Sequence, residues 1–259
     1  MAHALITGAS GGIGLCLAQR LAQRRHDLIL VARSKATLDE IAVKLSADFQ
    51  VKVEVIAADL SQADGPDMLF REVTRRQLEV DILINNAGYG LWGPVERADK
   101  AELLNMMYLN MQSLVNLTHA FIPDLRKHPR AYLMNVASTA AYQAVPTLTT
   151  YAATKSFVVS FTRGLRRELK NTGIVVSCLS PGGTKTGFVE RAGMQRLKER
   201  ADKFSMEADD VAEIALRGMF SGRAEIIPGV TNKVSVWLVG LLPKSIVERI
   251  AARLYKVAQ

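Results

Sequence analysis

A tyrosine and a lysine four residues apart, Tyr151 and Lys155 in the run Thr150-Tyr151-Ala152-Ala153-Thr154-Lys155, can do acid–base chemistry. The apolar spacing around them predicts a helix over 150–171, which puts positions four apart on one face. A free phenol is a poor acid, with a pKa of about 10. A fixed ammonium beside it favours phenolate and lowers that pKa, each unit being worth about 1.4 kcal/mol. The tuned tyrosine can then give a proton to an oxygen, or take one, near neutral pH. On those two residues alone, an ion–dipole pair on the surface of an ordinary helix is the simpler reading.

The N-terminus changes the balance. Ala2 to Ile6 reads as a short apolar strand that runs into Thr7-Gly8-Ala9-Ser10-Gly11-Gly12-Ile13-Gly14, and Ile13, Leu17 and Leu21 follow at helical spacing. Strand, glycine turn and helix make a phosphate cradle. The glycines let the backbone approach a pyrophosphate, and the helix N-terminus offers N–H groups and a positive dipole end. The spacing is G-x-x-x-G-x-G rather than G-x-G-x-x-G. The second strand, residues 27–32, ends in Ala32-Arg33-Ser34-Lys35, with no carboxylate until Asp39. A ribose 2′-hydroxyl usually meets an acid at this place and a 2′-phosphate an arginine. Arg33 can grip a phosphate bidentately and Ser34 can add a hydrogen bond, so NADP(H) is expected over NAD(H).

Five further segments follow in order: Asp59-Leu60 after Ala57-Ala58; Asn85-Asn86-Ala87-Gly88; Asn110 within Tyr108-Leu109-Asn110-Met111; Ser138 at the end of a predicted strand; and Pro181-Gly182 with Thr184 and Thr186. Together with the glycine loop and the Tyr–Lys pair, they make the chain resemble the short-chain dehydrogenase/reductase family in its common single-domain form, from residue 3 to about 230. The resemblance implies a doubly wound, Rossmann-type α/β fold. It implies that Gly8, Ser10, Gly12, Ile13, Gly14, Arg33, Ser34, Asp59, Leu60, Asn86, Ala87, Gly88, Pro181, Gly182, Thr184 and Thr186 bind the dinucleotide, with Asp59 on the adenine and the Pro-Gly-Thr segment at the nicotinamide carboxamide. Ser138 and Tyr151 would hydrogen-bond a substrate carbonyl, and Tyr151 would supply the proton. Lys155 would lower the tyrosine pKa and hold the nicotinamide ribose, and Asn110 would help hold a water that links the lysine to solvent. Structural readings stand beside these. Ser138 can cap a helix beginning near Ala140, Asn110 can satisfy a buried backbone group, and Asp59 can cap a helix beginning at Ser61. Thr7 and Asn86 are expected to bond neighbouring strands rather than react.

The chain has 259 residues, 49% hydrophobic and 22% charged, which suits one α/β domain over 1–259, with a C-terminal extension from about 231. Strands are predicted near 3–7, 27–32, 51–56, 81–84, 131–136, 174–180 and 225–227, with helices notably at 99–125 and 150–171. Such alternation predicts a parallel sheet of about seven strands covered by helices on both faces. The net charge of +8 falls on predicted exposed helix faces with no nucleic-acid motif, so no nucleic-acid partner is expected. Cys16 and Cys178 are expected to be two buried thiols in a reducing compartment. With a strand starting near residue 3, no signal peptide is expected. The four histidines lack metal-ligand spacing, so a cytoplasmic, metal-independent protein is expected.

The substrate wall is expected to combine Tyr89, Trp92, Tyr142, Val145, Leu148, Phe188 and Met194, with Phe188 to Met206 as a lid, which favours a small hydrophobic carbonyl or alcohol substrate. Beyond residue 230, the apolar run Val234 to Leu242 is too short to span a bilayer, which needs about 20 residues. A basic amphipathic helix follows, with Ile246, Ile250 and Leu254 on one side and Lys244, Arg249, Arg253 and Lys256 beside it. It can cover the pocket, build a homodimer or homotetramer interface, or lie on an anionic membrane, with cover or interface expected first. The expected function is an NADPH-dependent reductase of hydrophobic ketones or aldehydes. The alternatives are an alcohol dehydrogenase working oxidatively and a dinucleotide-binding regulatory protein without turnover.

Overall fold

Runs of Leu, Ile and Val that are apolar at every position, with no polar alternation, belong in strands covered on both faces. The computed structural model describes residues 2–194 and 205–254 and places these runs so. The strands β1 (His3–Thr7), β2 (Asp27–Ala32), β3 (Val53–Ala57), β4 (Val80–Asn85), β5 (Ala131–Val136), β6 (Ile174–Leu179) and the two-residue β9 (Glu225–Ile226) form a seven-stranded parallel sheet in the order β3-β2-β1-β4-β5-β6-β9. Successive side chains go to opposite faces. In β4, Ile82 and Ile84 join one apolar layer while Leu83 joins the other. Each fully buried side chain of this size contributes about 1.5–3 kcal/mol.

One layer is closed by Leu17 and Leu21 of α1 (Gly12–Gln23), Leu38 and Leu45 of α2 (Lys35–Phe49), and Leu216 and Met219 of α8 (Ala208–Phe220). Ion pairs from Arg20 to Asp209 and from Arg24 to Glu213 clamp α1 to α8 at the surface. The other layer is closed by α3 (Gly65–Arg75), α5 (Leu114–Leu125) and α6 (Thr149–Glu168), through Leu69, Phe121 and Leu165 among others. A ladder of buried amides and hydroxyls ties sheet to helices. Asn85 donates to Thr118 and Asn135, and Asn135 donates to Thr162, at 2.9–3.1 Å.

The strands fall within two residues of the sequence expectation, but the long central helix does not run straight. It divides into α4 (Lys100–Met107), a π-helical segment Tyr108–Ser113, and α5. Helix α3 starts at Gly65, not at Ser61. Of the two cysteines, Cys178 is buried and Cys16 is only half-buried, because the first helix turns Cys16 towards its flank. The remaining elements are the small pair β7 (Thr184–Lys185) and β8 (Met206–Glu207), the short α7 (Phe188–Arg191), and the C-terminal helices α9 (Val230–Leu241) and α10 (Lys244–Leu254). Residues 195–204 of the expected lid, and Lys256, lie outside the described residues, as do the side chains of Arg253 and Leu254.

Candidate active site

The strand order reverses between β1 and β4, and ligands of open parallel sheets bind at the carboxyl ends beside such a reversal. A cavity of about 1300 Å³ lies there. One end of it is built by the loop between β1 and α1. Gly8 and Gly12 take φ of +68° and +55°, which side chains resist. A Cβ on Gly14 would sit 2.3 Å from the Gly8 carbonyl oxygen. Gly14 therefore packs α1 onto the loop and does not line the cavity, whereas Gly8, Ser10, Gly12 and Ile13 do. The first N–H groups of α1 have no acceptor within the helix and suit an anion. Thr7 Oγ1 accepts from the N–H of Asn86 and of Ala87, both at 3.0 Å, and Asn86 Nδ2 donates to the Thr7 carbonyl at 2.9 Å. These bonds stitch the loop after β1 to the loop after β4, and Asn86, Ala87 and Gly88 form the adjoining wall.

At the far end, Arg33 is exposed and lines the cavity with Ser34, Asp59 and Leu60. Ser34 caps α2 by accepting from the Thr37 N–H at 3.4 Å. Asp59 caps no helix. Its Oδ1 accepts from the Ser61 N–H at 3.0 Å and the Ser61 hydroxyl at 2.7 Å, closing a turn that ends before α3 begins. Partial burial pushes the Asp59 carboxyl up, but the Ser61 bonds and the charge of Arg33 outweigh it, so the group is held below its ordinary pKa. A second cation stands nearby. Arg191, on α7, lies 4.5 Å from the Tyr89 ring centre, and burial together with the charge of Arg33 lowers its pKa. No motif or spacing in the sequence marks Arg191.

Between these ends lie a phenol, an ammonium and a hydroxyl. Tyr151 and Lys155 sit one turn apart on α6, both buried, with the ammonium 5.8 Å from the phenol ring centre, and both line the cavity. Lys155 Nζ donates to the Val136 carbonyl at the end of β5, at 2.9 Å. Burial lowers its pKa to about 8. Two residues beyond Val136, Ser138 lines the cavity, and its Oγ accepts from the Ala140 N–H at 3.2 Å as the cap of a 3-10 turn over Thr139–Tyr142. The cap uses a lone pair and leaves the hydroxyl proton to donate.

Asn110 does not line the cavity. It is 1% exposed, and its amide donates to the Tyr89 carbonyl and Thr154 Oγ1, both at 3.0 Å, while accepting from the Tyr89 N–H at 3.2 Å. Thr154 in turn donates to the Tyr151 carbonyl at 2.7 Å. Asn110 thus joins the loop after β4 to α6. Gly88 leaves room for this, since a Cβ there would lie 2.8 Å from Asn110 Oδ1 and 3.3 Å from Lys155 Nζ. Gly90 does the same for α7: a Cβ would come 2.7 Å from Phe188 and 3.3 Å from Tyr151, whose rings meet at 5.3 Å between centres.

Of the expected substrate wall, Tyr89, Tyr142, Val145, Leu148, Phe188 and Met194 line the cavity. Trp92 does not. Its backbone N–H donates to the Ala192 carbonyl at 2.9 Å, and the indole packs against the core cluster. The Tyr142 hydroxyl is turned into a polar network with Ser180, at 2.9 Å, and Glu225, so only its ring offers apolar surface. Burial and Glu225 raise its pKa. Pro181, Gly182, Thr184 and Thr186 complete the opposite wall, with Asn232 of α9 set so close that a Cβ on Gly182 would lie 2.5 Å from it. Asn232, Ser235, Val236 and Val239 make α9 part of that wall.

The family description "short chain dehydrogenase" matches residues 2–197. Among curated relatives, the very-long-chain 3-oxoacyl-CoA reductase of Anas platyrhynchos is 30% identical over 95% of this chain and 77% of its own length. Among solved structures, a short-chain dehydrogenase from Sphingobium yanoikuyae in complex with NADPH is 31% identical, covers 93% of this chain and 95% of its own, and superposes with a TM-score of 0.82. The bulky-bulky ketone specific alcohol dehydrogenase from Comamonas testosteroni is 28% identical, covers 93% of each chain and gives 0.78. The glycine cradle and the long cavity fit a dinucleotide, and the hydroxyl–ammonium cluster fits carbonyl chemistry. The chain belongs to the short-chain dehydrogenase/reductase family, oxidoreductases acting on CH–OH and C=O groups.

Proposed function

We propose that the protein is an NADPH-dependent reductase of hydrophobic ketones and aldehydes. The observation that carries this reading is the placement of Tyr151 and Lys155, one turn apart, on the wall of a cavity whose other end presents Arg33. When bound, the dinucleotide supplies hydride. Everything else falls to side chains of this chain. The Ser138 and Tyr151 hydroxyls donate to the carbonyl oxygen and polarise its carbon. Tyr151 then releases its proton to the oxygen as negative charge develops there. Lys155, held by the Val136 carbonyl, supplies the positive charge that makes this transfer easier. Asn110 and Thr154 fix α6 against the loop after β4 and so position the pair. Pro181, Gly182, Thr184 and Thr186 are the residues for the nicotinamide end, the glycine loop for the pyrophosphate, and Arg33 with Ser34 for a 2′-phosphate.

The apolar faces of Val145, Leu148, Phe188 and Met194 support a substrate with large hydrophobic groups beside its carbonyl. The names of the relatives, a very-long-chain 3-oxoacyl-CoA reductase and a bulky-ketone dehydrogenase, point the same way. The test is NADPH consumption across hydrophobic ketones, aldehydes and 3-oxoacyl thioesters, repeated with NADH. The expected result is turnover that favours NADPH and rises with the apolar bulk of the substrate. Turnover confined to small charged carbonyls, or equal with both cofactors, contradicts the reading.

A further inference from the structure

The two faces of α9 meet different surroundings. Asn232, Ser235, Val236 and Val239 line the cavity. Val234, Trp237, Leu238 and Leu241 recur at helical spacing on the opposite face and are exposed, with Trp237 65% and Leu241 64% open to solvent. Pro243 turns the chain into α10, where Ile246 and Ile250 are also exposed while Val247 and Ala251 are buried. A single exposed leucine is ordinary, but an apolar ridge of exposed side chains carried on two successive helices marks an interaction surface.

The charges beside the ridge are mostly basic. Lys233, Lys244 and Arg249 are exposed and pair with no carboxylate among the described residues. Glu248 is the one acid between residues 230 and 254. We propose that this ridge docks the protein on an anionic phospholipid bilayer, with α9 and α10 lying in the headgroup region. Charge selects this partner over a second copy, because the same ridge on another protomer would bring the same unneutralised cations face to face, whereas anionic lipid supplies the opposite charge. No helix among the described residues is long and apolar enough to cross a membrane, so the ridge lies on the bilayer rather than through it. The one helix separating ridge from cavity would then stand between a lipid phase and the substrate wall. This last consequence rests on the hydrophobic-substrate reading; the docking itself does not.

The test is flotation of the full-length protein with vesicles of phosphatidylcholine and phosphatidylglycerol, against vesicles of phosphatidylcholine alone, without substrate or turnover. The protein is expected to float with the anionic vesicles and to release at high salt. The double substitution Trp237→Ser with Leu241→Ser should weaken binding about ten-fold or more, with turnover of a water-soluble carbonyl unchanged. Lipids brominated near the headgroup should quench Trp237 fluorescence, and Trp237→Phe should remove that quenching. Failure to float with anionic vesicles overturns the proposal. So does a dimer in solution that the same double substitution dissociates, which would give the ridge to a second copy. Because binding is measured without chemistry, this outcome is independent of whether the reductase reading holds.

Discussion

Two cations serve the cavity in unlike ways because one is solvated and the other is not. Arg33 is exposed and lines the cavity at its far end. Arg33→Ala should weaken NADPH binding about ten- to hundred-fold and leave NADH binding nearly unchanged; titration of both cofactors checks this, and equal losses would remove the phosphate role. Lys155 is buried, with its pKa lowered from 10.5 to about 8. Between those values the unfolded chain binds more protons than the folded one, so this residue makes stability rise with pH from about 8 to 10.5 and takes that contribution away as pH falls. Without cofactor, wild type should therefore gain a few kcal/mol on Lys155→Met between pH 7 and 10, as read by urea unfolding of both proteins; parallel curves would contradict it. At this scale the sequence was legible wherever chemistry demands a fixed spacing, as for Tyr151, Lys155 and the glycines. It was illegible for Arg191, whose place depends on α7 folding over Tyr89. The aromatic character of Trp92 suggested a substrate wall, but its backbone bonds Ala192 and its ring packs against the core cluster.

Helices and turns decide which of these side chains can meet. A regular 3.6-residue pattern over 99–125 gives no warning of the π-helical segment at Tyr108–Ser113, because the extra residue in the turn leaves the apolar content unchanged. Asn110 lies within that segment, turned inward to bond Tyr89 and Thr154. The sequence therefore pointed to the residue and missed the geometry that uses it. Asn110→Ala should lower kcat more than it raises KM for NADPH, by about 10-fold or more, since it loosens α6 and not the cradle; an isolated KM effect would place it in binding instead. Gly90 gives a second test between elements. Gly90→Ala pushes a Cβ against Phe188 and Tyr151 and should lower kcat/KM about ten-fold. Adding Phe188→Ala should restore much of the loss, and a failure of rescue would show that the crowding is not between the loop and α7. The spacing after Pro243 predicts a basic amphipathic helix, with Ile246, Ile250 and Leu254 on one side as pocket cover, subunit interface or membrane face. In the structure Val247 and Ala251 are the buried pair and Ile246 and Ile250 are exposed, which a helical wheel alone cannot distinguish.

At the scale of the whole molecule, the parallel sheet gathers groups scattered from Gly8 to Asn232 along one edge, and strand alternation made that architecture legible from the start. A ligand that bridges the loops after β1, β2, β4 and β5 stabilises the fold by mass action. NADPH at 100 times its Kd should add about 2.7 kcal/mol and raise Tm by roughly 5–10 °C, a shift that differential scanning would detect and that NADH should reproduce only at higher concentration. The most direct test of the account is the turnover of Tyr151→Phe, measured with NADPH saturation verified by titration. Loss of the phenolic proton with the ring retained should reduce carbonyl reduction by about 10²–10⁴-fold while NADPH binds as in wild type. Turnover close to that of wild type, with cofactor bound, would show that the proton comes from elsewhere and that the Tyr151–Lys155 pair is not the catalytic centre.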